Sequence, residues 1–225
     1  MVRGVTASLA LIVLLAFAAP ALAARRTNLM TLEVRQGSMS EVVSFQGDGG
    51  PACAQAGVCG YSGTISYSFS GVRDGGVTVL VSHSGRRSSA FGFANLDVGA
   101  LTTTTVNTPG AAAPCTEKVL HKFDGFAFEG DAGSLRVLFH PAEAAPDFLA
   151  SYCGGPSDAD VAHAGGLPTL TLPTRRLRQK KVVLTADSQK QLHIGPFIAT
   201  VTFHASFDLR RIRLPRELLQ LLTGG

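Results

Sequence analysis

The sequence predicts an all-β fold: an antiparallel β-sandwich or sandwich-like barrel of about ten short strands, in one domain or two packed lobes. Three observations carry this reading. Apolar and polar residues alternate strictly in several runs, which is the period of a half-buried strand. The chain of 225 residues contains 25 Gly and 11 Pro, which punctuate it at short intervals. Only 16% of its residues are charged, so the long Glu- and Lys-rich stretches that favour helices are missing.

The alternation locates the strands. Ile65, Tyr67 and Phe69 alternate with Thr64, Ser66, Ser68 and Ser70, so the large side chains share one face. Val77, Val79 and Val81 repeat the pattern after Asp74-Gly75-Gly76, which predicts a hairpin over 63–82. Val119, His121 and Phe123 alternate with Leu120 and Lys122, and Leu135, Val137 and Phe139 alternate with Arg136 and Leu138. Gly130-Asp131-Ala132-Gly133 is the turn that joins the last of these to residues 126–129. The longest alternation puts Val201, Phe203, Ala205, Phe207 and Leu209 on one face and Thr200, Thr202, His204, Ser206 and Asp208 on the other. Residues 29–35, 41–45, 89–94, 101–106, 169–172 and 181–185 are further strand candidates. A short helical turn is expected over 215–222, with Pro215 at a permitted first position. The Gly/Pro/Asp/Ala stretch 154–166 is the expected boundary if there are two lobes.

Residues 1–23 read as a secretory signal. Arg3 supplies the positive start, residues 9–18 the apolar core, and Ala21-Leu22-Ala23 the small-x-small cleavage site, so the mature domain is expected to span 24–225. The alternative is an uncleaved N-terminal membrane anchor, since 5–23 is nearly all apolar and Arg25-Arg26 weaken the charge bias across it. Either reading puts the remainder at the cell surface or beyond.

An oxidising compartment fits the four cysteines, an even number, all beyond the signal segment. Of three connectivities, the local loop of small residues between Cys53 and Cys59 favours pairing those two, which leaves Cys115 with Cys153. The longer bridge closes a loop of about 39 residues and is expected to contribute about 3–4 kcal/mol through chain entropy. Zinc is excluded by the spacing, because no Cys-x-x-Cys is present.

No catalytic, cofactor or metal residue is assigned. Gly60-Tyr61-Ser62-Gly63 misses the nucleophile-elbow pattern, and His83 lies between Ser82 and Ser84, which point away from it on a strand. The other histidines, His121, His140, His163, His193 and His204, are scattered, with His121 expected in the core and His204 in solvent. Asp158 and Asp160 lack the ligand series of a calcium loop and read as loop solvation. No phosphate-binding glycine loop occurs, and Trp is absent, which weakens a carbohydrate-stacking role.

Charge is the remaining signal. From Arg175 onward there are ten basic and three acidic residues, whereas 24–174 hold nine basic and thirteen acidic ones. Arg175, Arg176, Arg178, Lys180 and Lys181 form one cluster, and Arg210, Arg211 and Arg213 form another, each flanking a strand. If those strands pair, the clusters form a basic patch suited to an anionic cell-envelope polymer or membrane surface. The plainer role is to guard sheet edges and aid solubility. Nucleic acid is excluded by compartment and by the lack of interleaved aromatics. The sequence thus predicts a secreted, non-enzymatic binding or structural protein. A hydrolase with a site built from dispersed loops is the alternative, and a protease inhibitor projecting the Cys53–Cys59 loop is a third reading.

Overall fold

The computed structural model describes residues 26–72, 75–84, 87–96, 98–123, 125–131, 133–139 and 152–212. The expected signal segment, Arg213 and the helical turn expected over 215–222 lie outside the described residues.

The central element is β1, which runs unbroken from Arg26 to Gly47. Its inward side chains are even-numbered at first, with Met30, Leu32 and Val34 buried, and odd-numbered later, with Met39, Glu41, Val43 and Phe45 buried. A bulge reconciles the two phases. The pairing with the last strand steps from Val34↔Leu209 to Gln36↔Asp208, so Arg35 is an extra residue. An extra residue in a period-2 strand moves every later side chain to the opposite parity, and it bends the strand. The two candidates over 29–35 and 41–45 are therefore one strand that turns a corner.

The partners of β1 follow the same corner. β2 (Ser62–Val72) pairs antiparallel with residues 37–46 of β1, and β3 (Gly75–Ser84) pairs antiparallel with residues 26–34. The hairpin predicted over 63–82 is therefore incorrect. β2 and β3 do not pair with each other but run in the same direction along one strand. β2 ends at Val72 opposite Gly37 and β3 begins at Gly75 opposite Val34, so the two strands meet β1 on either side of its bulge.

The remaining strands are β4 (Arg87–Asn95), β5 (Val98–Asn107), β6 (Cys115–Phe123), β7 (Phe126–Gly130), β8 (Ser134–Phe139), β9 (Thr169–Pro173), β10 (Lys181–Ile194) and β11 (Phe197–Ile212). All eleven belong to one antiparallel sheet. Its order is β6-β5-β2-β1-β3-β4-β7-β8-β9, with β11 on the other side of β1 and β10 beyond it. The chain is an all-β protein with a sandwich-like fold whose sheet is not closed. The β7–β8 turn falls at the predicted place, with Asp131 Oδ1 accepting from the Gly133 and Ser134 amides at 2.6 and 2.7 Å. Gly130 adopts φ 150° there, in a conformation that side chains rarely permit, and an added Cβ would lie 2.3 Å from the Ser134 carbonyl oxygen.

The strands are not uniformly short. β1, β10 and β11 span 22, 14 and 16 residues, because β11 accompanies β1 through its bend from Thr31↔Ile212 to Gly47↔Phe197. Strands on both sides of 154–166 thus share one continuous sheet. The core closes where the sheet folds over. Phe126 of β7 lies 4.8 Å from Phe207 of β11, and Phe139 of β8 lies 5.4 Å from Phe203. Each such buried ring contributes about 2–3 kcal/mol by transfer from water.

Three short helices complete the described chain. α1 (Pro51–Ala56) has Pro at its start and Gly57 at φ 71° as its stop. α2 (Asp158–His163) replaces the solvated loop expected around Asp158 and Asp160. Asp160 instead completes a capping box, its carboxylate accepting from the Ser157 amide at 3.0 Å while its own amide donates to Ser157 Oγ at 3.2 Å. A 3₁₀ helix, η1 (Thr174–Arg178), links β9 to β10.

Both disulfides pair as the spacing suggested, Cys53 with Cys59 and Cys115 with Cys153, at sequence separations of 6 and 38. The second ties the start of β6 to the segment whose Gly155 packs against Phe45 and Ile65. Replacing Cys115 and Cys153 together by Ser should lower the unfolding free energy by about 4 kcal/mol, against about 2 kcal/mol for the Cys53/Cys59 pair. Urea denaturation of the two double variants checks the order.

Candidate functional site

The basic clusters meet through the β10–β11 ladder. Lys181 stands directly opposite Arg210, and Arg210 opposite Glu33 of β1. The Arg211 amide donates to the Lys180 carbonyl at 3.1 Å, and its guanidinium Nη1 donates to the Arg178 carbonyl at 3.2 Å. Arg211 has the inward parity of Leu209 but lies beyond the core, so its side chain reaches across to the end of η1. Arg175, Arg176, Arg178, Lys180, Lys181, Arg210 and Arg211 are all exposed. Two carboxylates temper them: Asp208 pairs with Lys181 at 2.7 Å, and Glu33 pairs with Arg35 at 3.3 Å. Exposed pairs of this kind contribute less than about 1 kcal/mol and leave the cations available to other anions.

A second arrangement was not anticipated from the sequence. Ser188, Phe203, Glu41, Tyr67 and Thr102 are successive cross-strand partners over β10, β11, β1, β2 and β5, all on the inward face. Glu41, Tyr67 and Thr102 are buried, at 0%, 1% and 2% exposure. The signal was present in the sequence. Glu41 occupies the same parity as Met39, Val43 and Phe45, so a carboxylate sits within an apolar face. Burial keeps solvent and substrates away from Glu41, Tyr67 and Thr102.

On the outer face, Asp187, His204 and Ser40 are likewise successive partners over β10, β11 and β1. His204 Nδ1 lies 2.5 Å from Asp187 Oδ1, with both side chains at least half exposed. His204 was expected in solvent, and its carboxylate partner became visible only with the register. The residue types match a hydrolytic triad, but an oxyanion site needs backbone N–H groups aimed at the substrate. Here β11 is flanked by β10 and β1, and this stretch of β1 by β11 and β2, so the amides are committed to ladders. His204 and Asp187 stand on a solvated face of the sheet.

Of the other histidines, His163 and His193 are exposed, His83 and His121 sit on β3 and β6, and His140 lies outside the described residues. Among the described residues no group of three or more His, Cys, Asp or Glu is placed to hold a metal ion. A cleft of about 260 Å³ lies where β9 approaches β10, lined by residues 170–172 and 182–185 and by Arg176. Comparison with protein-family models, curated proteins and solved structures finds no match.

The parity of β1 is open to direct test. Glu41→Lys should cost more than about 3 kcal/mol, because it buries a cation in the core. Val42→Lys, on the opposite face, should stay within about 1 kcal/mol. Thermal melts of the two variants measure the difference.

Proposed function

We propose that this protein is a non-enzymatic binding or structural component of the cell surface, which holds an anionic envelope polymer or membrane surface through the basic end of β10 and β11. The observation that carries the reading is the direct opposition of Lys181 and Arg210. Like charges facing each other across a ladder are destabilising, and here they are joined by Arg211, anchored on the Arg178 carbonyl, and by the exposed arginines of η1. Such a concentration of cations attracts a polyanion by summed field rather than by shape.

Location at the exterior is supported by the signal-like pattern of residues 1–23 and by two disulfides, which persist where thiols are not kept reduced. Intact mass of the protein recovered from the culture medium should correspond to a chain that begins at Ala24 and lacks four hydrogens. Retention of residues 1–23 in a membrane fraction supports the anchored form instead.

Binding is measured with polyphosphate and with vesicles containing anionic or only zwitterionic phospholipid. Retention on the anionic probes should fall about tenfold as salt shortens the screening length from roughly 10 to 3 Å. The variant combining Lys180→Glu, Lys181→Glu and Arg210→Glu should lose it at every salt concentration. Equal retention of this variant and the parent rejects the reading.

A further inference from the structure

We infer that the seam between β9 and β10 accepts an extended acidic peptide from a partner protein, which adds as a strand to the exposed edges. These two strands end the sheet on opposite sides. Among the described residues β9 pairs with β8 alone and β10 with β11 alone. Residues of both strands border one cleft, and η1 connects the two in the chain. The backbone groups facing the seam are thus outside the ladders, and they form a ready template for another strand.

The side chains suit such an occupant. Leu172, Val182 and Leu184 line the cleft at 3%, 3% and 1% exposure, while Val183, which also borders it, is 49% exposed and has the outward parity. This is the alternation that an added strand would continue. Edges are ordinarily guarded by charge or proline along their length. Here Pro168 and Pro173 stand about β9, and Lys181, Asp187 and Lys190 are the charges of β10, so residues 169–172 and 182–185 along the seam carry neither charge nor proline. The far edge, β6, differs: Glu117 and Lys118 lie within it, and Glu117 Oε2 accepts from the Tyr152 amide at 3.0 Å.

Charge selects the partner. Arg176 lines the cleft, and Arg175, Arg178 and Lys181 are exposed close by, so acidic residues at one end of the peptide are favoured. A purely apolar ligand would leave the two edges without hydrogen-bond partners, whereas a strand laid along an edge supplies them and need not be enclosed.

The probe is a fluorescent peptide in which valine and threonine alternate before two aspartates, titrated into the disulfide-bonded protein. It should bind, and it should slow amide hydrogen exchange in residues 169–172 and 182–185. Replacing its central valines by proline, or its aspartates by lysine, should weaken binding at least about tenfold, since the first removes main-chain donors and the second reverses the charge. Val183→Lys, which guards the edge at an exposed position, should weaken the peptide about tenfold, whereas the cation it adds two residues from Lys181 should raise polyphosphate retention. That separates this site from the proposed polyanion surface. Arg176→Glu should reverse the preference between the aspartate and lysine peptides. The inference is overturned by any of three results: no binding up to about 1 mM peptide, equal binding of the proline peptide, or seam amides already protected before peptide is added.

Discussion

The ladder between β1 and β11 carries the rest of the molecule. It continues through the bulge at Arg35, so two long strands bend together and contribute to both layers. β2 and β3 then divide the other side of β1 between them, and each layer grows outward from this shared spine. The apolar parity of β1 changes from even to odd, so without the extra residue Arg35 the side chains of Met39, Val43 and Phe45 would face solvent. The bulge keeps Leu32 and Val34 on one side of the corner, and Val43 and Phe45 on the other, facing the same core.

The same spine determines what can be functional. Because β11 lies between β10 and β1, residues far apart in the chain come into transverse rows: Lys181 with Arg210 and Glu33, Asp187 with His204 and Ser40, and Ser188 with Phe203 and Glu41. Each row takes its character from its face. The outer rows are solvated and carry charge, whereas Phe203 and Glu41 of the inner one are buried. Chemistry that requires a recessed, water-excluded pocket is poorly served by the outer rows, whereas recognition of an extended anion or an extended strand is well served by them and by the adjoining edges.

Much of the architecture was legible because alternation is a local property. Val201 to Leu209, Leu135 to Phe139 and the Gly130 turn all reflect side chains that must face either core or water in their own strand. The cysteine pairing was legible because the Cys53–Cys59 loop is short and the remaining pair followed. The predicted hairpin over 63–82 failed for an equally physical reason. Asp74-Gly75-Gly76 has turn chemistry, but a chain following a bent partner also needs residues that permit a break, and the two demands look alike in sequence. Asp160 is exposed, as expected, but its capping of the Ser157 amide was not legible, because it depends on a helix where the composition suggested a loop.

By itself, the sequence determined the all-β class, the parity of most strands, the turn residues, the disulfide framework and the imbalance of charge toward the C-terminal end, since these depend on residue type and local spacing. Only the tertiary structure decided the register. Register decides that Lys181 meets Arg210, that Asp187 meets His204, that Glu41 falls within the core, and that the edges of β9 and β10 face each other across a cleft. Its physical basis is the bulge in β1 and the packing of both layers against β11, interactions between residues that no local pattern connects.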